Sequence, residues 1–360
     1  MARVYNFNPG PSTLPLSALE KAKEELIDYQ GTGMSIMEAS HRAPEYDKIH
    51  NDAQALMREL MNIPDNYRIL FLGGGASTQF AMIPMNFIPE NGSADYVITG
   101  SWAKKALKEA NIIAKGNIAA TSEPDKFNHI PTREELQLDP NAAYVHITTN
   151  NTIAGTQYQT FPDVKDKPLL ADMSSDILSK KIDVSKFSLI YAGAQKNLGP
   201  AGVTVVIIDD HFAAGAREDI PTMLSYGTHI EKNSLFNTPP VFPIYMVNLV
   251  LEWVKAQGGV DKIESINKQK ADLVYQTIDE SDGYYRCPVR KDSRSWMNAV
   301  MRLPNEELEK SFIAKAKNEG LHGLKGHRSV GGIRISMYNA MPLEGVEKLT
   351  EFMKSFKQEN

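Results

Sequence analysis

Short apolar runs bounded by glycine, proline or asparagine alternate with amphipathic segments along most of this 360-residue chain. Six of the runs have the length of strands, at positions 68–72, 96–99, 144–148, 169–173, 189–192 and 203–208. Uninterrupted apolar strands separated by helical patterns are typical of a parallel sheet that helices cover on both faces. The pattern therefore predicts an α/β fold with a largely parallel sheet.

The periodicity also predicts where the helices and domains lie. One helix carries an apolar stripe made of Tyr46, Ile49, Ala53, Leu56 and Leu60. Another runs over 243–257, where Gly258 and Gly259 stop it. The pattern then changes to helices at 263–278 and 306–319, strands at 297–303 and 333–337, and a last helix from position 343. We expect a large domain over 16–258 and a small α+β domain after it.

Composition argues against several classes of protein. The 39 basic and 44 acidic residues give a net charge of −5 without any run of like charge, which argues against a nucleic-acid binder. The single cysteine, Cys287, excludes an internal disulfide and a cysteine-based zinc site, and the histidines have no metal-binding spacing, so we expect no metal. The most apolar stretch, 241–254, contains Pro243, Asn248 and Glu252, so we expect no membrane span. Because the single cysteine can form no internal disulfide, we expect a cytoplasmic location.

The sequence FLGGGASTQF, at 71–80, places three glycines directly after a predicted strand and before a helix start. Free backbone N–H groups at such a turn can bind an anion. The motif is neither GxGxxG, because Thr78 stands where the third glycine would be, nor a Walker A loop, because no Gly-Lys-Ser/Thr follows. Taken alone, it fits a structural turn as well as an anion site.

Lys196 and Asp172 each follow an apolar strand, in YAGAQKN and PLLADMSSD. A lysine there would be partly desolvated, which lowers its pKa and suits Schiff-base chemistry, whereas most lysines are solvated surface residues. A carboxylate at the carboxyl end of a strand faces the crevice where α/β proteins bind ligands, or it caps the next helix. Together with the glycine turn, the two residues suggest pyridoxal phosphate, which needs an amine, a carboxylate and a phosphate site.

Two further residues fit that cofactor. Trp102, in ITGSWAKK, could stack on the cofactor ring, although it could equally anchor the core. Thr152, in TTNNTIAGT, could donate to the ring hydroxyl or serve only as a turn residue.

Basic residues indicate an anionic substrate. His41 with Arg42 and His327 with Arg328 form two His-Arg pairs in loop-like contexts, and such donors suit a carboxylate or phosphate, although each pair alone could be surface charge. Arg334 lies in a predicted strand, where a rigid arginine can grip a carboxylate bidentately.

Nine motifs follow one another along the chain: NFNPGPSTLP, MSIMEASHR, GGGASTQF, GSWAKKA, TTNNTIAGTQ, ADMSSD, YAGAQKNLGPAG, FNTPP and HRSVGGIRISMYNA. Taken in order, they resemble the phosphoserine aminotransferase family, in class V of the fold-type I pyridoxal-phosphate enzymes. The resemblance runs from about position 6 to the end of the chain. It implies a mainly parallel seven-stranded sheet in the large domain, with residues 1–15 joining 259–360 in the small one. It also implies transamination between L-glutamate and 3-phosphohydroxypyruvate in serine biosynthesis, and it allows a role in pyridoxine biosynthesis.

The resemblance assigns roles to the matched residues. Lys196 would hold the cofactor covalently, and Asp172 would bind its ring nitrogen. Trp102 would stack on its ring, and Thr152 would donate a hydrogen bond to its phenolic oxygen. Ala76, Ser77 and Gln195 would bind its phosphate, with Asn237 and Thr238 reaching over from the neighbouring subunit of a homodimer. Arg334 would take the substrate α-carboxylate, while the distal anion would be surrounded by His41, Arg42, His327 and Arg328.

Three alternatives remain beside this interpretation. An aminotransferase for small neutral substrates would need no second anion pocket, and the two His-Arg pairs argue against it. A cysteine desulfurase would need a reactive cysteine on a mobile loop, and Cys287 has no activating context. A nucleotide-binding module could use the glycine turn but would leave Asp172 and Lys196 unexplained.

Overall fold

The computed structural model describes residues 3–360. Its strands, in chain order, are β1 (Tyr5–Asn6), β2 (Tyr67–Leu72), β3 (Ser93–Ile98), β4 (Lys115–Thr121), β5 (Ala142–Thr148), β6 (Asn150–Asn151), β7 (Thr156–Gln157), β8 (Leu169–Asp172), β9 (Leu189–Gly193), β10 (Thr204–Asp209), β11 (Asn298–Met301), β12 (Leu321–His322) and β13 (Ile333–Ser336). The α-helices are α1 (Leu16–Glu24), α2 (Pro44–Met61), α3 (Gly75–Phe87), α4 (Ser101–Ile113), α5 (Asp210–Ala213), α6 (Tyr226–Glu231), α7 (Val241–Ala256), α8 (Gly259–Asp279), α9 (Glu306–Asn318) and α10 (Leu343–Glu359).

A seven-stranded sheet forms the centre of the molecule, in the order β2-β10-β9-β8-β5-β3-β4. Strand β10 runs antiparallel to both of its neighbours, β2 and β9. The other neighbouring pairs are parallel. The predicted α/β fold with a mainly parallel sheet is confirmed.

Helices cover both faces of this sheet, which explains why its strands are apolar without interruption. In β10, Val205 and Ile207 belong to a core that also contains buried residues of α1, α2 and α7. Their neighbours Val206 and Ile208 belong to the core on the opposite face, with α3 and α4. Because successive strand residues point to opposite faces, burial on both sides requires apolar residues at every position.

A third core lies outside the sheet. It is built from residues 271–356, together with Phe7 from the N-terminal segment. Strand β1 pairs in parallel with β12, so the beginning of the chain is attached to this C-terminal unit. Helix α8 connects the two regions, because Val260 and Ile263 at its start pack into the core beneath the sheet, whereas Ala271 and Val274 pack into the third core.

Three of the differences from the sequence prediction have a clear physical reason. Strand β4, at the sheet edge, was not predicted, because its residues from Lys115 to Asn117 are polar or glycine and its apolar Ile118 is exposed. Strand β10 was predicted but its direction was not, since apolar periodicity carries no information on direction. Helix α8 begins at Gly259, directly after α7 ends, because Gly258 and Gly259 take the positive φ values of +99° and +79° that turn the chain sharply.

Within residues 3–360, no helix combines the length and the apolar character needed to cross a membrane. The same part of the chain holds no group of three or more histidine, cysteine, aspartate and glutamate side chains placed to bind a metal ion.

A row of buried polar aromatic side chains lies within the sheet. His146 on β5 is 1% exposed, and its Nε2 shares a hydrogen bond of 2.9 Å with the hydroxyl of Tyr191 on β9. Its ring also packs against Tyr96, with 5.1 Å between the ring centroids. Burial lowers the pKa of His146 to about 3, so the imidazole is neutral in the folded protein at neutral pH.

This buried histidine makes stability depend on pH. In the unfolded chain its pKa returns to about 6.5. Between pH 6.5 and 3 the unfolded state therefore binds a proton that the native state does not, and the free energy of unfolding falls as the pH falls. The loss attributable to His146 is about 1.4 kcal/mol per pH unit below 6.5, or about 2 kcal/mol at pH 5.

We expect His146→Phe to abolish this part of the acid sensitivity. Urea unfolding at pH 7 and pH 5 would show a drop in unfolding free energy about 2 kcal/mol smaller in the variant than in the wild type. His211→Phe, at an exposed position, is the control and should keep the wild-type drop. Equal drops in the wild type and His146→Phe would contradict the argument.

Candidate active site

Six strands of the central sheet, all except β10, end at one edge, and the chemically promising residues follow five of those ends, those of β2, β3, β5, β8 and β9. Strands β3, β5, β8 and β9 run parallel, and β2 runs in the same direction because it is also antiparallel to β10. A cavity of about 450 Å³ opens at this edge. Of the residues singled out from the sequence, it is lined by Ala76, Ser77, Trp102, Thr152, Asp172, Gln195, Lys196, His327 and Arg334.

The glycine turn forms one wall of the cavity. Strand β2 ends at Leu72 and α3 begins at Gly75, so the backbone N–H groups of the first helical turn face the cavity from Gly75 to Ser77. Gly74 has φ +86°, and a Cβ atom there would lie 1.8 Å from the Thr78 hydroxyl oxygen. Only glycine fits this position. The turn therefore combines the free amides and the positive helix end that bind an anion.

Lys196 and Asp172 both line the cavity, and burial disfavours the charged form of each. Burial lowers the pKa of Lys196, an effect that the Asp172 carboxylate opposes and that Arg334 reinforces. Burial raises the pKa of Asp172, and this is opposed by hydrogen bonds from Ser174, whose backbone N–H donates to Asp172 Oδ1 at 2.9 Å. A lysine with a lowered pKa keeps more of its amine uncharged and hence nucleophilic.

Trp102, Thr152 and Arg334 are joined by hydrogen bonds on another wall. The indole Nε1 of Trp102 donates to Thr152 Oγ1 at 3.3 Å, and Arg334 Nη1 donates to the Thr152 carbonyl oxygen at 3.1 Å. Lys196 Nζ lies 5.6 Å from the centroid of the Trp102 ring. Arg334 is 8% exposed, and its Nε has no hydrogen-bond partner in the described chain. A buried guanidinium with a free donor at a cavity can bind a carboxylate.

The sequence assigned the N-terminal segment to the small domain and gave none of its residues a role in the site, but the structure places Gly10 and Ser12 against Lys196. A Cβ atom on Gly10 would lie 3.3 Å from Lys196 Cγ, so a side chain there would crowd the lysine stem. Ser12 Oγ donates to the Lys196 carbonyl oxygen at 2.5 Å, and Ser12 N donates to the Gln195 carbonyl at 3.0 Å. The Gly-Pro pair in NPGPS signals a turn, but only the folded chain reveals what the turn contacts.

Five of the predicted residues do not line this cavity: His41, Arg42, Asn237, Thr238 and Arg328. Two of them are nevertheless close together, since His41 Nδ1 and Thr238 Oγ1 share a hydrogen bond of 3.2 Å. Arg42, Asn237 and Arg328 are exposed. Positive charge accumulates at the cavity mouth. Burial lowers the pKa of His327, and the nearby Arg334 and Arg328 lower it further.

The cavity offers a set of donors that matches pyridoxal phosphate. Lys196 supplies an amine for an aldehyde, Asp172 a buried carboxylate for a ring nitrogen, and the start of α3 a set of amides for a phosphate. The guanidinium of Arg334, which also lines the cavity, supplies further donors for a substrate carboxylate. Each group alone has a structural explanation, but their convergence on one cavity points to this chemistry.

Comparison with known proteins gives the same result. The family model described as "Aminotransferase class-V" matches residues 4–349. A phosphoserine aminotransferase from Niallia circulans is 55% identical over 356 residues, which cover 99% of this chain and 98% of the relative. The solved structure of a phosphoserine aminotransferase from Bacillus circulans subsp. alkalophilus superposes with a TM-score of 0.97 at 55% identity, covering 99% of both chains. A pyridoxal-phosphate-bound phosphoserine aminotransferase from Trichomonas vaginalis gives 0.94 at 38% identity, covering 98% of this chain and 100% of that one. This chain therefore belongs to the class-V aminotransferase family, with phosphoserine aminotransferases as its full-length relatives.

Proposed function

We propose that this chain catalyses reversible transfer of the amino group between L-glutamate and 3-phosphohydroxypyruvate, giving O-phospho-L-serine and 2-oxoglutarate in serine biosynthesis. The observation that carries the proposal is the convergence of Lys196, Asp172 and the N-terminus of α3 on one cavity, in a chain 55% identical to a phosphoserine aminotransferase. Pyridoxal phosphate is the cofactor. When bound, it supplies the electron sink that stabilises negative charge at the amino acid's Cα.

The cavity wall suggests how the cofactor is held. Amides at Ala76 and Ser77, with the side chain of Gln195, would bind the phosphate group, since all three line the cavity beside the positive end of α3. Trp102 would stack on the ring, and Thr152, whose Oγ1 already accepts from Trp102, would use its own hydroxyl proton to donate to the phenolic oxygen. Asp172 would bind the ring nitrogen, whose positive charge would oppose the effect of burial and favour the ionised form of the carboxyl.

Lys196 has two tasks in this proposal. It would hold the cofactor covalently through Nζ, and after the substrate amine displaces it, the freed amine would remove the proton from the substrate Cα. Burial, by lowering the pKa of Lys196, keeps a larger fraction of the amine available as a base near neutral pH.

Substrate recognition requires two separate anion sites. Arg334 would bind the α-carboxylate, which glutamate and phosphoserine share. The distal group is a carboxylate in one substrate and a phosphate in the other, and it would be surrounded by His41, Arg42, His327 and Arg328. Arginine is always charged, whereas histidine can gain a proton when the more highly charged phosphate binds, so this mixture suits both groups.

We also propose a homodimer in which neighbouring subunits share active sites. One pair, Asn237 and Thr238, would bind the cofactor phosphate of the partner subunit. The other pair, His41 and Arg42, would bind the substrate in the partner subunit's site. The hydrogen bond between His41 and Thr238 brings these two pairs to one exposed place outside the chain's own cavity. Large apolar side chains are exposed beside them, including Met37 at 55% and Phe236 at 47%, which suits an interface.

We also propose a domain division, a cellular location and a second substrate. We divide the chain into a large cofactor-binding domain at 16–258 and a small domain of 1–15 with 259–360, which the packing of Phe7 into the C-terminal core supports. We place the protein in the cytoplasm, as its only cysteine, Cys287, excludes internal disulfides. The distal site would also admit 4-phosphohydroxy-L-threonine, which ends in a phosphate too, and turnover of that compound would test a role in pyridoxine biosynthesis.

The cofactor lysine gives the first prediction. Lys196→Ala should abolish transamination between phosphoserine and 2-oxoglutarate, because both the covalent attachment and the base are removed, while the circular dichroism spectrum remains that of the wild type. Lys186→Ala, at an exposed position, should retain full activity as a control. Transamination by Lys196→Ala at more than about one thousandth of the wild-type rate, a factor typical of a lost general base, would refute the assignment.

Shared active sites give a second prediction, through hybrid dimers. Lys196→Ala and the double variant Arg42→Ala, Thr238→Val should each be inactive or nearly so. A dimer with one chain of each kind would contain one site in which both the lysine and the neighbour's Arg42 and Thr238 are intact. Mixing the two variants under exchange conditions should therefore restore activity, to about a quarter of the wild-type value for statistical mixing. If each subunit completes its own site, the mixture stays inactive.

A further inference from the structure

The segment 337–341 connects β13, which carries Arg334, to the turn before α10. Lys270 of α8 holds this segment from beneath. Its side chain is fully buried, and its Nζ donates to three backbone carbonyl oxygens of the segment, at 3.0, 2.8 and 3.1 Å: those of Met337, Tyr338 and Met341. One ammonium group thus fixes three points of the chain directly after the arginine strand.

Packing alone does not account for a lysine at this position. Burying an ammonium group costs several kcal/mol in lost hydration, and an apolar side chain of similar volume would avoid that cost. The acceptors of Lys270 are neutral carbonyls, and burial lowers its pKa to about 7. What the lysine adds is a defined position for these carbonyls, since three hydrogen bonds to one nitrogen allow little displacement of the segment.

The same segment is tied to the loop that carries Lys196. The backbone N–H of Asn339 donates to the side-chain oxygen of Asn197 at 3.0 Å, and Asn197 directly follows Lys196. The side chain of Asn339 donates to the Leu178 carbonyl at 3.0 Å and accepts from Asn267 at 2.8 Å. Asn267 lies one turn before Lys270 on α8, so one helix holds the segment at two places.

A third connection passes through the N-terminal segment. The hydroxyl of Tyr338 donates to the Pro9 carbonyl at 2.7 Å, next to Gly10, which packs against the Lys196 stem. Ser12 then donates to the Lys196 carbonyl. The chain around Lys196 is therefore linked to the segment 337–341 from two sides.

We propose that Lys270 and Asn339 are positioning residues that fix the distance between Arg334 and Lys196. The inference rests on the proposed function, in which Arg334 binds the α-carboxylate while Lys196 acts at the adjacent Cα. These atoms are neighbours in any amino acid, so the two side chains have to be held at a fixed separation. A displacement of about 1 Å can cost on the order of 100-fold in rate. Neither positioning residue touches the substrate.

The test uses the holoenzyme and compares Lys270→Met with the wild type. Methionine fills a similar volume but cannot donate to the three carbonyls. We expect the KM for both L-glutamate and O-phosphoserine to rise about tenfold, because both need Arg334, and kcat to fall, because Lys196 no longer lies at the correct distance from Cα. The visible cofactor band should keep its normal intensity. Binding of inorganic phosphate, measured by calorimetry, should stay within twofold of the wild type, because the distal site that would take a phosphate group does not include Arg334. A general loss of structure would weaken both kinds of binding.

Two further variants keep the inference open to refutation. Met353→Ala truncates a fully buried side chain of α10 in the same C-terminal core, and Met353 makes no hydrogen bond to the segment 337–341. This variant should lower thermal stability while leaving both KM values unchanged. Asn339→Ala should also raise both KM values. If Lys270→Met does not fold, Asn339→Ala serves as the test variant. Wild-type KM values in a folded Lys270→Met or Asn339→Ala enzyme would overturn the positioning role. A wild-type enzyme that does not transaminate phosphoserine would instead overturn the proposed function, and this inference with it.

Discussion

Strands that run in the same direction end at the same edge of a sheet, and the rest of this structure depends on that constraint. Asp172 is the last residue of β8, Lys196 follows β9, and the glycine turn follows β2. These three are distant in sequence, yet they meet because their strands share one direction. Strand β10 lies between β2 and β9 and runs antiparallel to both, so β2 and β9 still run in the same direction.

Burial then gives the edge its chemistry. A lysine and an aspartate in water would both be charged at neutral pH, whereas here burial lowers the pKa of Lys196 and raises that of Asp172. The amine is thereby prepared as a nucleophile and base, and the carboxyl is prepared to gain stability from a positively charged ring nitrogen. A positively charged ring would therefore bind favourably, because its charge would offset the desolvation cost of the buried Asp172 carboxylate.

Residues at strand ends could be predicted from the sequence because they depend only on local pattern. Lys196, Asp172 and the turn at Gly74 all follow apolar runs, and the structure places each at the predicted edge. The roles of Ser12 and Lys270 could not be predicted, because their partners lie 184 and about 70 positions away and no periodicity encodes such contacts. Strand β4 escaped prediction for a different reason, since an edge strand need not be apolar on both faces. The resemblance to a family supplied Gln195, Asn237 and Thr238, for which the local pattern gave no signal.

The most direct test of the account is a titration of the purified holoenzyme, followed by its visible absorption. We predict a cofactor band that is lost on addition of O-phosphoserine and that remains on addition of alanine at the same concentration, because alanine has an α-carboxylate for Arg334 but no distal anion. Equal responses to both amino acids would retain an aminotransferase and remove the distal phosphate site. A protein without any such band, even after addition of pyridoxal phosphate, would contradict the account as a whole.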